Sequence, residues 1–373
     1  MRFLITCAGT AGHINPALAI AGKIKELMPD SEFLFIGSGR EMENRLIPMD
    51  GYKIVNIKST GFQRKINAEN ILLNIKAVAH IVVGTSQAKK IIREFKPDAA
   101  IGTGGYVCYP VLTAAHKMGI PTFIHESNAI PGLTTKLLQT TVDKIMVAFP
   151  GLEKHYKDPS RVVFTGTPVR GGFDGVTKEQ ARGKLGIWDK PLVVSFWGSL
   201  GASRLTKATA EFIAKNNEAG AFRHIHATGG GEAGMEAMCA ALKELGVDSD
   251  KLKYTELRPY IDDMPVVMTA SDMVMCRSGA STLGELTAIG KPSLLVPSPY
   301  VTDNHQEKNA RTLENGGGAI VVTEAECTGS VLFDKVSSLV SDSDSLNKMS
   351  ESVKAMGVPD CAKKIVDIIL EKI

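Results

Sequence analysis

The sequence predicts an α/β protein with two doubly wound parallel sheets that face each other across a cleft. Short apolar runs alternate with amphipathic helical segments, which is typical of strands buried on both faces of a parallel sheet. This alternation occurs twice, first from residue 2 and again from residue 192. A stretch rich in glycine and proline, 163–172, separates the two series and predicts an interdomain hinge.

The first series predicts a strand at 2–7 and a helix at 16–28, with Asn15 as the N-cap and Pro16 as the first helical residue. Further strands are predicted at 32–36, 99–101, 122–124 and 144–148. We therefore place the first domain at 1–164.

The second series predicts strands at 192–196, 223–228, 251–255, 272–276, 292–297 and 319–322. Apolar residues at helical spacing between 359 and 373 predict a closing helix. We place the second domain at 165–358 and expect the closing helix, 359–373, to pack back on the first domain.

Composition and charge exclude several classes of protein. Hydrophobic residues make up 44% of the 373 residues and charged residues 22%, as in ordinary globular proteins. The six cysteines form no C-x-x-C pair, so we predict neither a zinc site nor a disulfide framework. A net charge of +3 is too small to indicate nucleic-acid binding. No apolar run reaches about 18 residues and a strand begins at residue 2, which predicts a chain that stays in the cytoplasm.

Four loops rich in small residues follow predicted strands, and we name them the first to fourth glycine loops: 7–13, 102–106, 197–202 and 277–280. A loop of this kind ahead of a helix presents backbone N–H groups to a phosphate. The fourth loop leads into a helix that carries Glu285, whose carboxylate is then placed for ribose hydroxyls. It is not the dinucleotide fingerprint, because it lacks the G-x-G-x-x-G spacing and its acidic residue lies in the helix itself. Together the loops predict a nucleotide site.

Polar residues at other strand ends have two interpretations each. His13 is either a surface or capping histidine or an imidazole directed into the crevice as a general base for a sugar hydroxyl. Asn128 belongs to an Asx turn or binds a sugar hydroxyl or N-acetyl group. Arg170 is a solvated charge or the partner of a pyrophosphate oxygen. The polar cluster 303–310 contains an N-capped helix start at Asp303.

Two further segments bear on metals and membranes. The D-x-D motifs at 248–250 and 342–344 match a metal clamp, but both lie in turn-like polar stretches, so we predict no metal. The segment 62–93 mixes aliphatic residues with lysine and arginine. That pattern is typical of a membrane-surface segment or of a sheet-covering helix with snorkelling lysines, and composition alone favours the helix.

These motifs resemble the GT-B glycosyltransferases that add N-acetylglucosamine to the undecaprenyl-linked muramyl-peptide intermediate of bacterial peptidoglycan. The resemblance spans the chain and rests on the segments 9–13, 102–106, 125–128, 198–202, 276–280 and 303–310. It implies two Rossmann-like domains, with the donor held mostly by the C-terminal one, and an inverting transfer without metal or cofactor. It also implies a peripheral enzyme at the cytoplasmic face of the plasma membrane, which gives 62–93 more weight as a membrane-facing patch.

The resemblance implies roles for individual residues. Those near the donor sugar are Thr10, Ala11, Gly12, Asn128 and Gln306, the last two on the N-acetylglucosamine. The diphosphate is held by Ser199 and the amides of Ala280, Ser281 and Thr282. Ile261 holds the uracil through its backbone, Glu285 the ribose, and Arg170, Leu283 and Gly284 belong to the same donor set. The acceptor or phosphate loop comprises Gly104, Gly105 and Tyr106.

The implied reaction is an attack of the muramyl 4-hydroxyl on the anomeric carbon of UDP-N-acetylglucosamine, with UDP as the leaving group. We expect His13 to be the base, with Glu126 as the alternative. Ala8, Ala11 and Trp197 depart from the glycines usual in these loops, and these changes would either narrow the crevice or shift donor affinity. Two rival functions stay open: a UDP-N-acetylglucosamine 2-epimerase, and a non-catalytic subunit that binds a sugar nucleotide or lipid carrier.

Overall fold

The structure, a computed structural model, describes residues 1–61, 68–171, 173, 175–198 and 201–373. The chain divides into two compact units, Met1–Arg170 with Val358–Ile373, and Gly171–Gly357. The first unit extends beyond the predicted limit of 164, because the backbone N–H groups of Thr165 and Gly166 still donate to the carbonyl of Val147.

Seven parallel strands form the described sheet of the first unit: β1 (Arg2–Thr6), β2 (Glu32–Gly37), β3 (Lys53–Asn56), β4 (Ala99–Gly102), β5 (Thr122–Glu126), β6 (Lys144–Val147) and β7 (Val162–Phe164). Their spatial order is β3-β2-β1-β4-β5-β6-β7, so the direction of strand addition reverses between β1 and β4. The helices before the hinge are α1 (Ala11–Leu27), α2 (Glu41–Met49), α3 (Ala68–Phe95), α4 (Cys108–Lys117) and α5 (Leu133–Leu138). Short 3-10 turns occur at Glu153–His155 and Pro159–Arg161.

Six parallel strands form the described sheet of the second unit: β8 (Leu192–Phe196), β9 (Arg223–Ala227), β10 (Thr255–Arg258), β11 (Met273–Cys276), β12 (Ser293–Leu295) and β13 (Ala319–Val321). Their order is β10-β9-β8-β11-β12-β13, with the reversal between β8 and β11. The helices are α6 (Lys178–Leu185), α7 (Ser203–Ala219), α8 (Gly231–Glu244), α9 (Met264–Ala270), α10 (Ala280–Ile289), α11 (His305–Asn315), α12 (Gly329–Val340) and α13 (Ser343–Met356). Short 3-10 turns occur at Ser249–Lys251 and Thr302–Asn304.

The last helix, α14 (Cys361–Leu370), belongs to the first unit and packs against α1. Its apolar face supplies Ile365, Val366 and Ile369, all fully buried, to the cluster formed by α1 and the sheet. Burial of each such aliphatic side chain contributes about 1.5–3 kcal/mol. The helix is therefore part of the core of the first unit.

The predicted pair of doubly wound parallel sheets is confirmed, whereas two element boundaries are wrong. Helix α1 begins at Ala11 rather than Pro16, because the carbonyl of Thr10 already accepts the N–H groups of His13 and Ile14, at 3.0 and 3.2 Å. Proline is thus inside this helix, although it cannot donate a backbone hydrogen bond.

The strand predicted at 251–255 begins only at Thr255, which pairs with His224 of β9. Ser249–Lys251 forms a 3-10 turn instead, capped by the side chain of Asp248. Asp342 likewise caps α13 by accepting the N–H of Ser345. Both D-x-D motifs therefore lie at helix starts. Within the described residues, no helix combines the length and the apolar content needed to cross a bilayer.

Candidate functional site

The four glycine loops lie at the two places where strand order reverses. The first and second follow the neighbouring strands β1 and β4, and the third and fourth follow the neighbouring strands β8 and β11. In open α/β sheets, ligands bind at the carboxyl ends of the strands at such a reversal. Each unit therefore has its own candidate binding edge.

His13 is held by the second glycine loop. Its Nδ1 lies 3.1 Å from the carbonyl oxygen of Thr103, and the Thr103 hydroxyl donates to the carbonyl of His13 at 2.7 Å. Since a carbonyl only accepts, Nδ1 must carry the proton, which leaves the ring's lone pair on Nε2. A Cβ on Gly104 would overlap Nδ1 of His13, so glycine is required beneath the ring.

The first and second glycine loops pack directly on each other. The N–H of Ala8 donates to the carbonyl of Gly104 at 3.2 Å. A Cβ on Gly105 would lie 2.6 Å from the carbonyl oxygen of Ala8, and its φ of +86° also favours glycine. Tyr106 completes the second loop, and its hydroxyl donates to Ser38 Oγ at 3.3 Å. The two loops form one assembly in the first unit.

Glu126 is buried at the end of β5, and both of its carboxylate oxygens are occupied. One accepts the backbone N–H and the side-chain amide of Asn128, at 3.1 and 3.0 Å. The other accepts the N–H of Gly132 at 2.9 Å and the hydroxyl of Thr135 at 2.7 Å. Four donors therefore satisfy this buried carboxylate, and two of them belong to Asn128, which the carboxylate orients.

The neighbouring His125 is fully buried and links β5 to the segment after β7. Its Nε2 donates to the carbonyl of Gly166 at 2.8 Å, and its Nδ1 pairs with the hydroxyl of Ser127 at 3.1 Å. Burial lowers the pKa of His125. The ring is therefore a neutral structural link.

The second unit presents the start of α10 at the end of β11. Gly279 is the extended N-cap, and the following residues, Ala280, Ser281 and Thr282, form the first turn. The hydroxyl of Ser281 is buried and has no hydrogen-bond partner within the described residues. The backbone N–H groups of a first helical turn, together with a buried hydroxyl, form a suitable cradle for an anion.

Glu285 lies one turn further along α10, after Leu283 and Gly284, which are buried. Burial raises the pKa of Glu285 from an ordinary 4.5 to about 7. Burial at the end of β11, and to a smaller extent the Glu285 carboxylate, raises the pKa of the Cys276 thiol. Glu285 is half-buried, and a carboxyl group of this kind gains from ligand hydroxyls that donate to it.

The fourth loop is linked to the start of α11. The hydroxyl of Ser278 donates to the carbonyl of Gln306 at 2.7 Å, and the side-chain oxygen of Gln306 accepts the N–H of Ser298 at 2.8 Å. Helix α11 begins at His305 rather than at the predicted Asp303, which has a φ of +58°. Gln306 therefore lies beside the fourth loop.

The remaining predicted site residues have different surroundings. Ile261 is buried between β10 and α9. Arg170 pairs with Asp50 at 2.5 Å within the first unit. Ser199, assigned to the diphosphate, lies outside the described residues. Trp197 does not project from its loop, because its indole is buried in the core and donates to Thr209 Oγ1 at 2.9 Å.

Two charged residues at these edges were not anticipated from the sequence. Glu43 accepts the N–H of Gly9 in the first loop at 2.8 Å. Glu324 pairs with Arg277 of the fourth loop at 2.6 Å, which occupies the one guanidinium of that loop. The partners are far apart in sequence, so no local pattern indicated them. The described residues contain no cluster of three or more histidine, cysteine, aspartate or glutamate side chains that could hold a metal ion.

Comparisons with known proteins agree on one family. The model of the glycosyltransferase family 28 N-terminal domain matches residues 3–147, and that of the family 28 C-terminal domain matches 192–365. A protein of Acetivibrio thermocellus, named UDP-N-acetylglucosamine--N-acetylmuramyl-(pentapeptide) pyrophosphoryl-undecaprenol N-acetylglucosamine transferase, is 45% identical, over 99% of this chain and 97% of its own.

Solved structures show the same likeness. The crystal structure of Acinetobacter baumannii MurG is similar with a TM-score of 0.76 and 26% identity, over 99% of both chains. A UDP-GlcNAc 2-epimerase from Neisseria meningitidis, bound to UDP-GlcNAc, gives a TM-score of 0.68 over 100% of both chains. At 14% identity, the epimerase shares the fold alone.

Proposed function

We propose that this chain, which belongs to glycosyltransferase family 28, is a transferase. The reaction is transfer of N-acetylglucosamine from UDP-N-acetylglucosamine to the 4-hydroxyl of the muramyl sugar in undecaprenyl-pyrophosphoryl-muramyl-pentapeptide. The relative that is 45% identical over nearly the whole chain is named for this donor and this acceptor. The observation that carries the proposal is the imidazole of His13, fixed at the reversal point of the first sheet with its lone pair on Nε2.

The donor is assigned to the second unit. The first turn of α10 offers backbone N–H groups and the buried Ser281 hydroxyl to the diphosphate, with Ser199 in the third loop as a further contact. As the glycosidic bond breaks, the diphosphate gains charge, which a helix N-terminus stabilises electrostatically. Glu285 binds the ribose, the backbone of Ile261 the uracil, and Gln306 the N-acetylglucosamine. Arg170 would join this set only on leaving Asp50.

The acceptor is assigned to the first unit. His13 Nε2 takes the proton of the muramyl 4-hydroxyl while the oxygen attacks the anomeric carbon from the face opposite UDP, so the configuration inverts. The hydrogen bond from Nδ1 to Thr103 stabilises the imidazolium that forms. Glu126 is not the base in this scheme. Its carboxylate holds Asn128, which we assign to the N-acetylglucosamine of the donor. Thr10, Ala11, Gly12 and the loop Gly104, Gly105 and Tyr106 surround the reacting groups.

A radiolabelled transfer assay tests the proposal. Purified chain, UDP-N-acetylglucosamine and a short-chain lipid-linked muramyl acceptor should yield labelled lipid product, with and without chelator. His13→Ala should lower kcat by about 10²–10⁴-fold, the usual contribution of a general base, with little change in donor affinity. His116→Ala, an exposed histidine at the end of α4, is the matched control and should retain full activity. Near-normal turnover in His13→Ala would exclude His13 as the base.

We also propose that the chain is a peripheral protein at the cytoplasmic face of the plasma membrane, where its lipid-linked acceptor lies. Helix α3 exposes Val78 and Val82, one turn apart and 53% and 67% accessible, beside the exposed Lys76. Apolar side chains flanked by lysine suit an anionic lipid surface. The predicted patch also includes 62–67 and the side chains of 68–73 and 75, which lie outside the described residues.

Liposome flotation tests this second proposal. The double variant Val78→Asp, Val82→Asp should lose most binding to vesicles that contain anionic lipid, because it removes apolar area and adds negative charge. Leu245→Asp, an exposed leucine in the second unit, is the control and should float as the wild type does. Undiminished flotation of the double variant would exclude α3 as the membrane contact.

A further inference from the structure

We propose that Glu43 is a positioning residue for the transfer reaction: its buried carboxylate fixes the first glycine loop and thereby the orientation of His13. This inference rests on the proposed function. Glu43 lies on α2, near neither general-base candidate in sequence, and it is fully buried. A buried carboxylate is costly unless its oxygens are satisfied, so its partners show what it holds.

The partners of Glu43 belong to two loops. One carboxylate oxygen accepts the N–H of Gly9 at 2.8 Å and the hydroxyl of Ser38 at 2.7 Å. The other accepts the N–H groups of Ser38 and Gly39, at 2.6 and 3.1 Å. All four donors are neutral, and three of them are backbone groups. Glu43 thus ties the loop after β2 to the first glycine loop by charge-assisted hydrogen bonds.

The hydrogen bond between Gly9 and Glu43 constrains the start of α1. Gly9 has a φ of +97°, a conformation that glycine adopts readily and that the bond to Glu43 holds in place. The next residue, Thr10, is the N-cap, and its carbonyl accepts the N–H of His13 at 3.0 Å. The hydrogen-bonded turn from Thr10 to His13 therefore begins directly after Gly9, which Glu43 holds in place.

The same carboxylate is linked to the second glycine loop. The hydroxyl of Ser38, which donates to Glu43, accepts a hydrogen bond from the hydroxyl of Tyr106 at 3.3 Å. Arg40 in turn donates from Nε to the Tyr106 hydroxyl at 3.1 Å, with its guanidinium 5.6 Å from the ring centre. A Cβ on Gly37 would lie 2.7 Å from a carboxylate oxygen of Glu43, so glycine at 37 leaves the space for this network.

Together these contacts connect both loops that surround His13 to one carboxylate. If Glu43 served stability alone, its loss would lower the melting temperature but leave the turnover of folded enzyme intact. A positioning residue predicts a loss of kcat in folded enzyme, because small displacements of a catalytic group cost about 10²-fold in rate. It also predicts a change in the surroundings of the His13 ring.

The test compares Glu43→Gln with Glu41→Gln, which removes the same charge from an exposed position on the same helix. Well below the melting temperature, Glu43→Gln should lower kcat by about 10²-fold, while donor affinity in calorimetry changes less than about threefold. The ring resonances of His13 in ¹⁵N-histidine-labelled protein should shift. Glu41→Gln should match the wild type in all three measurements. A kcat within twofold of the wild type in Glu43→Gln would overturn the inference.

A second variant covers the case in which Glu43→Gln does not fold. Ser38→Ala removes one donor to Glu43 and its link to Tyr106, and should lower kcat about tenfold, the effect of one such hydrogen bond. Unchanged turnover in Ser38→Ala would then overturn the inference. Absence of product with the wild type would contradict the proposed function. In that event the His13 resonances test the structural part of the inference alone: a shift in either variant supports Glu43 as the residue that orients the His13 ring, and identical spectra overturn it.

Discussion

Replacing Glu285 with glutamine tests the proposed contact between this side chain and the donor ribose. Burial raises the pKa of Glu285 to about 7, so the group is half protonated near neutral pH. Ribose hydroxyls that donate to the carboxylate favour its ionised form. Donor affinity should therefore rise with pH until Glu285 is ionised.

The size of the effect follows from the same pKa. The dissociation constant should rise about tenfold for each pH unit below about 7 and stay constant above about 8. Loss of a hydrogen bond to a charged group costs about 1.5–3 kcal/mol, which is about 10- to 150-fold in affinity for Glu285→Gln at pH 8. The variant should bind with the same weak affinity across this pH range.

As pH rises, the free energy of unfolding should fall while donor affinity rises. A carboxyl group with a raised pKa contributes stability at low pH that is lost as pH rises through that value. With a pKa of 4.5 when exposed and about 7 when folded, ionised Glu285 costs the second unit about 3 kcal/mol above pH 7. Glu285→Gln should therefore be more stable than the wild type at pH 8. Weaker donor binding by this variant can then be attributed to a lost contact and not to unfolding.

Calorimetric titration with UDP-N-acetylglucosamine measures the affinity between pH 5.5 and 8.5. The sugar nucleotide is preferable to UDP, because both of its phosphates are esterified and carry no proton in this range. The terminal phosphate of UDP, in contrast, titrates at about pH 6. Glu244→Gln, an exposed glutamate at the end of α8, controls for the change in charge. Donor affinity that is independent of pH in the wild type, or the same pH slope in Glu285→Gln, would refute the assignment.

Three further changes test other parts of the structure. Gly104→Ala places a methyl group against the His13 ring and should lower kcat at least tenfold in a stopped assay. Gly22→Ala, which has open space around it, is the control; its kcat should be unchanged and its melting temperature the same or slightly higher. Burial lowers the pKa of His226 to about 4, so stability that is present above pH 6.5 should be lost at about 1.4 kcal/mol per pH unit as pH falls toward 4. In His226→Gln, the free energy of unfolding, measured by urea titration at each pH, should fall less steeply with pH. Glu126→Gln leaves donors unpaired and should lower the free energy of unfolding by about 2 kcal/mol. Its pH–rate profile should keep the shape of the wild type, and loss of the limb that reports a general base would contradict the role given to Glu126.

The fold could be predicted because parallel strands and their covering helices leave a strong pattern in sequence. The start of α1 was wrong, because Asn15 and Pro16 match a helix start locally while the first glycine loop already provides a cap at Thr10. The strand β10 was misplaced for a related reason. Its position is set by pairing with β9, which lies about 30 residues away in sequence.

The candidate site could be predicted in its loops but not in its supports. Glycine loops after strands are visible in sequence, and they mark the reversal points of both sheets. Glu43 and Glu324 are single acidic residues, and only the folded chain brings them to Gly9 and Arg277. The occupied oxygens of Glu126 could not be anticipated either, because all four of their donors come from the turn and helix that follow β5.

The return of α14 to the first unit has a consequence for how the chain folds during synthesis. The ribosome completes the whole of Gly171–Gly357 before it releases the segment that carries Ile365 and Ile369. Until then, the nascent first unit has an uncovered apolar groove along α1. The second unit can therefore mature before the first, and a ribosome stalled near residue 357 would display that groove to chaperones.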